Sequence, residues 1–194
     1  MKDLSLFWAL KKNKLVHVSE VQSGLKCECI CPSCNKPLVA HKGKIKIHHF
    51  KHYEVCNCQG AIETSIHLAA KKLFLTKKEV LLPDLYADVP EFGEQKVQSR
   101  KLYKSKKVIE EYKIDDFQPD IFMEVEIKKK GKVYLAPLII EIAVTHFVDS
   151  VKLNKIINKG ISAIEICLDK IERIKNNDEL WNELINHDKI RWLF

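Results

Sequence analysis

The sequence predicts an α+β or α/β core, a mixed sheet flanked by helices, behind an N-terminal element of different composition. Three observations carry this. The run PDIFMEVEIKKKGKVYLAPLIIEIAVTHF, around Asp120, has two halves that alternate or run apolar in Ile, Val, Phe and Tyr about a KKKGK turn, the pattern of a β-hairpin. Helical periodicity lies on either side of it, from Ala61 and from Asp149. Six of the seven cysteines fall between Cys27 and Cys58, and five of the eight histidines fall in the first sixty residues. The remaining chain does not share that bias. The expected division is therefore an N-terminal element over residues 1–60 and a core over 61–194.

Taken in order, SLFWAL and KLVHV are short strand-like pieces leading into the Cys-rich loop. From Ala61, Ile62, Ile66, Ala69, Ala70 and Leu73 recur at helical spacing and predict an amphipathic helix. Strand-like segments follow around VLLPDLYADV, QKVQSRKLY and KKVIEEYKI, with GEQKVQSRKLYKSKK expected to be basic and mobile. After the hairpin, 149–159 predicts a helix with Val151, Ile156 and Ile157 inward and Gly160 as its C-cap. SAIEICL is a further strand, NDELWNELIN a short helix capped by Asn177 or Asp178, and IRWLF a last strand. Helix, strands, helix and strand in that order predict a mixed sheet.

At 194 residues the chain suits one domain with a small appendage, and 46% hydrophobic residues suffice for a core. Its net charge of +7 favours a polyanionic partner beside a site that acts on phosphates. No apolar run approaches the roughly 20 residues of a membrane span, and the N-terminal apolar stretch is too short for a signal peptide. An odd cysteine count without an export signal points to reduced thiols in a cytoplasm and to metal rather than disulfides.

CPSC places Cys31 and Cys34 on a CxxC turn whose two thiolates can point at one tetrahedral ion. HHFKH follows, with His49 and His52 spaced to supply the other two ligands and Cys56 and Cys58 as competitors for that pair. The expectation is a structural zinc site, since four protein ligands leave no open position for water. Cys27 and Cys29 share a face of an extended run with Cys31 and are expected to be spare thiols.

Hairpin pairing can bring Asp120 and Glu141 to one end of the sheet. Two buried carboxylates repel unless protonated or sharing a cation, usually Mg²⁺ or Mn²⁺ bound through oxygen. Such a metal can activate water and stabilise a phosphate undergoing displacement. The alternative is a strand-capping Asp120 and a Glu141 at a solvated strand end. Glu63, His67 and Lys71 recur every fourth residue and so form one line along a helix. They are either a solvated row or, beside the two carboxylates, a source of a third metal ligand.

CPSC, HHFKH, ETSIH with Lys71, PD and IIEIAVTH, in this order, give a chain that resembles the competence protein CoiA-like nucleases. These are similar to the wider PD-(D/E)XK superfamily of restriction-endonuclease-like folds. The resemblance runs from about Cys31 to Gly160. It implies a zinc-binding element, a mixed sheet flanked by helices, and Mg²⁺- or Mn²⁺-dependent cleavage of DNA. By motif match, Glu63 corresponds to the helix Glu, Asp120 to the PD Asp and Glu141 to the strand Glu. The family pattern wants Lys, or Gln, two residues after the strand Glu, where this chain has Ala143. Lys152, one turn into the next helix, is expected to reach back into the cleft in its place, with His146 and His67 as other candidates.

Three functions compete on these residues. The first is a metal-dependent deoxyribonuclease acting in DNA uptake, repair or defence. The second is a degenerate zinc-containing nucleic-acid-binding subunit working beside a motor or effector protein. The third, an HNH-type nuclease with His48 or His49 as base, leaves Asp120 and Glu141 without a role.

Overall fold

The computed structural model describes residues 5–169 and 171–194. Met1–Leu4, where the N-terminal stretch weighed as a signal peptide begins, lie outside them. Among the described residues the protein is mixed α+β, with three α-helices and two sheets of five and six strands beside a small two-stranded ribbon. It divides into two compact units.

The first unit comprises residues 5–70 and 171–180. Its sheet contains β1 (Trp8–Lys11), β2 (Lys14–His17), β3 (Gly24–Ile30), β4 (Pro37–His41) and β5 (His49–His52), in the order β2-β1-β3-β4-β5. Lys12 and Asn13 both have positive φ (48° and 61°), so a two-residue turn of the hairpin-matching hand joins β1 to β2. Trp8 is buried and its indole donates to Asn177 Oδ1 at 3.0 Å, while His17 Nε2 lies 2.8 Å from the Lys175 carbonyl. These bonds explain why 171–180 belongs to this unit. The division consequently differs from 1–60 and 61–194: it falls inside the first helix, α1 (Ala61–Lys77), and a late segment rejoins the N-terminal sheet.

The second unit comprises 71–169 and 181–194. Its strands are β6 (Glu79–Leu82), β7 (Leu85–Val89), β8 (Gly93–Gln98), β9 (Lys101–Glu110), β10 (Ile121–Lys129), β11 (Lys132–Ala143), β12 (Ser162–Cys167) and β13 (Ile190–Trp192). Helix α2 (Ser150–Lys159) joins β11 to β12, and α3 (Asn177–Leu184) crosses from the first unit into the second. The six-stranded sheet runs β13-β12-β11-β10-β9-β6, and β7 pairs with β8 alone. All its neighbours are antiparallel except β11 and β12, whose connection through α2 is the crossover a parallel pair requires. The segment expected to be mobile is instead strand, β8 and most of β9.

One face of this sheet seats helix α2. Ile139 on β11, Ala163 on β12 and Ile156 on α2 form a buried cluster with Phe117. Asp149 caps α2, accepting from the Lys152 amide at 2.7 Å, and Gly160 ends it in the left-handed conformation (φ 62°). Of the three residues expected inward, Ile156 is buried, but Val151 and Ile157 are exposed. A ten-residue helix lying on a sheet presents only a narrow stripe, so Lys152, one turn before Ile156, shares the buried side instead.

Candidate metal centre and carboxylate cleft

In the first unit, β3 enters the CPSC turn and β4 leaves it. The Asn35 amide donates to the Cys31 carbonyl and the Cys31 amide to the Lys36 carbonyl, both at 2.9 Å, which closes the knuckle. Cys31, Cys34, His52 and Cys58 bring their ligand atoms within 4.8 Å of one another. Cys31 Sγ lies 3.9 Å from Cys58 Sγ, and Cys34 Sγ lies 3.3 Å from His52 Nε2. Zn–S bonds of about 2.3 Å in a tetrahedron require sulfur atoms about 3.8 Å apart. The group can therefore hold a structural metal such as zinc. Burial pushes the Cys31 thiol up to about 12, whereas the Lys36 amide, helped by His52, holds Cys34 down at about 6.

His49 was the expected fourth ligand, and Cys58 stands in its place. HxxH aligns two rings on a helix, but here it is strand β5, where residues three apart point to opposite faces. Register completes the separation. His52 pairs with Leu38 at the knuckle end of β4, while His49 pairs with His41 at the other end. There His49 stacks on His41 with ring centroids 5.2 Å apart, and its Nδ1 lies 2.8 Å from the Ile47 carbonyl. Cys27 and Cys29 are buried thiols bonded to the Leu38 and Cys27 carbonyls, each at 3.3 Å. Cys56, the other competitor, lies outside the convergent group.

In the second unit a row of charged side chains crosses the sheet beside the Ile139–Ala163 cluster. Ile121 pairs with Ile140, so Asp120 stands one step further opposite Glu141; Glu141 pairs with Glu165, and Glu165 with Arg191. Residues paired across strands share a face. Glu141 and Glu165 each lie two residues beyond a member of the buried cluster on their own strand, so both continue the side on which α2 packs. Asp120, Glu141, Lys152 and Glu165 line one cleft of about 180 Å³ with His146 and the 146–149 loop.

The bonding is specific. Asp120 Oδ2 accepts from the Ile142 amide at 2.9 Å, and Lys152 Nζ donates to Glu141 Oε2 at 2.7 Å. Glu141 is only 4% exposed, so it does not occupy a solvated strand end. Its Oε1 is buried without a hydrogen-bond partner among the described residues. Burial pushes this carboxyl up to about 7 against the opposing pull of Lys152, and the Asp120 charge adds to the rise. Ala143 is buried and offers no cation, and the nearest ammonium comes from α2. His146 Nδ1 lies 2.6 Å from Thr145 Oγ1 on the exposed rim.

Glu63 and His67 lie on α1 in the first unit, half-buried, whereas the cleft is built from second-unit residues. Lys71, next in their helical line, is 3% exposed and donates to Glu111 at 2.5 Å. The Glu111 amide in turn donates to the Asp120 carbonyl. Sequence reasoning passed over Glu165, which is 1% exposed and accepts from the Val148 amide at 2.7 Å and from Arg191 Nε at 2.7 Å. A signal was present: Glu141 and Glu165 each interrupt an apolar strand as Ile-Glu-Ile.

The chain matches no protein-family model, no curated protein and no solved structure.

Proposed function

We propose that this protein is a metal-dependent nuclease that cleaves DNA, with a structural zinc site in its first unit. The observation that carries the reading is the register of β10 and β11, which sets Asp120 opposite Glu141 in one cleft with the Lys152 ammonium on Glu141. An acidic pair with a buried, unpartnered Glu141 Oε1 suits a divalent oxygen-seeking cation. Asp120 and Glu141 would hold Mg²⁺ or Mn²⁺ there, and the ion would supply Lewis-acid activation of water. Around it, the Ile142 amide fixes the Asp120 carboxylate, and Lys152 of α2, which donates to Glu141, would take the part of the cation missing at Ala143. Its ammonium can orient a phosphate oxygen and stabilise charge as the phosphodiester is attacked. His146, on the rim of the cleft, is an alternative carrier of a proton.

The test is incubation of purified protein with single- and double-stranded DNA in Mn²⁺ and in EDTA. Cleavage is expected only with the metal. Asp120→Ala and Lys152→Ala should each reduce cleavage at least a hundredfold while leaving DNA binding nearly intact. Cleavage that survives Asp120→Ala would remove the reading. The second reading, a DNA-binding subunit serving a motor or effector protein, is favoured by Ala143 and by the Lys152–Glu141 ion pair, in which a lysine already neutralises the carboxylate. It predicts binding without cleavage under any divalent metal.

A further inference from the structure

Two segments of the second unit are strongly basic. Residues 99–107 and 124–135 hold nine of its 33 Lys and Arg but two of its 26 Asp and Glu, leaving 24 of each sign over the remainder. Both segments belong to the second unit. They form the start of β9 and the outer half of the β10–β11 hairpin. The base of that hairpin is core, with Ile121, Met123 and Leu138 buried, but from Ile127 to Leu135 every residue is exposed. Lys130 and Gly131, both at positive φ (49° and 76°), make a tight turn, so the tip is a two-stranded ribbon ending in lysine.

Pairing assigns the ribbon's faces. Ile127 opposes Tyr134 and Lys129 opposes Lys132 on one face, while Lys128 opposes Val133 on the other. Cations therefore project from both sides. Beside the ribbon, a groove of about 310 Å³ runs between β9 and β10, lined by Lys101, Tyr103, Lys104 and Lys128 among others. A single strand tracked along one surface meets cations on one face and stacks its bases on aromatic platforms. Phosphates flanking a ribbon on both sides belong to a groove, and the major groove of B-form DNA admits a two-stranded ribbon, whereas that of A-form RNA is too narrow.

We propose that the 126–135 ribbon docks in the major groove of duplex DNA as an anchor remote from the carboxylate cleft. This deepens the nuclease reading and rests on it for the choice of nucleic acid. Asp120 immediately precedes β10 and Lys129 ends it, nine residues apart, or about 30 Å at ~3.4 Å per residue. At about 3.4 Å per base pair, a duplex engaging both ends spans roughly nine base pairs.

The experiment is fluorescence anisotropy on full-length protein with 8- and 24-base-pair duplexes across a salt series. It compares the triple variant Lys128→Gln, Lys129→Gln, Lys132→Gln with a charge-matched control, Lys14→Gln, Lys26→Gln, Lys175→Gln. All six lysines are exposed, and unchanged thermal melting checks folding. The wild type should bind the longer duplex at least tenfold more tightly than the shorter, and the ribbon variant should lose that gain. Its salt slope should fall by about 2–3, near 0.9 per phosphate contact removed. The control should bind as the wild type does. Equal losses in both variants, an unaltered ribbon variant, or a wild type that binds no duplex overturns the proposal. Duplex binding through the ribbon without Mn²⁺-dependent cleavage would sustain it while removing the nuclease reading. Cleavage with an unaltered ribbon variant would do the reverse.

Discussion

Glu141 carries the most consequential chemistry of any single residue here. Its carboxyl is pushed by burial from 4.5 to about 7. A raised acid binds more protons folded than unfolded, so its contribution to stability is fully present below about pH 4.5 and is lost as pH rises through 7. Metal-free protein should therefore lose stability across that window, by on the order of 3 kcal/mol for a shift of this size. Glu141→Gln should flatten that part of the curve, which thermal melts at pH 5 and pH 8 would measure. A curve equally steep in the variant would mean that other groups dominate. Divalent metal needs the ionised carboxylate, so Mn²⁺ affinity measured calorimetrically should climb over the same interval.

Elements decide which residues meet. On β5 the two histidines of HHFKH part company, and Cys58 from the loop before α1 completes the cluster. Protein purified without added metal should carry about one zinc per chain by elemental analysis. Cys58→Ala should lose it, and His49→Ala should keep it; the opposite pattern would restore His49 as the fourth ligand. On α2, Ile156 seats the helix on Ile139 and Ala163 and thereby aims Lys152 at Glu141. Ile156→Ala should cost about 2–5 kcal/mol of stability. Asp149→Ala, which removes the cap, should cost about 1 kcal/mol, and urea melts would separate the two.

At the scale of the whole molecule, each unit has its own sheet and its own buried residues, and only the first contains the cysteine cluster. Structural zinc contributes folding free energy directly. Chelation should therefore collapse hydrogen-exchange protection in β3, β4 and β5 first, while β10, β11 and β12 stay protected. Uniform loss across both units would mean that the zinc element is required for the second sheet as well.

The hairpin, the crossover helix with its Gly160 cap, and the carboxylates at one sheet end were legible in sequence because each depends on local periodicity and turn chemistry. Lys152 was legible too, since one helical turn is a distance that spacing predicts. Three things were not. That Cys58 rather than His49 is the fourth ligand depends on which end of β4 each histidine meets, and register across strands leaves no trace in spacing. Glu165 joins the cleft only because β12 lies parallel to β11 with Glu165 beside Glu141, a non-local pairing between segments that look alike as apolar strands. The return of 171–180 to the N-terminal sheet rests on two hydrogen bonds, to Trp8 and His17, reaching across more than 150 positions of chain. Local pattern thus determined which elements form and which residues carry charge, and long-range pairing decided which of those residues share a site.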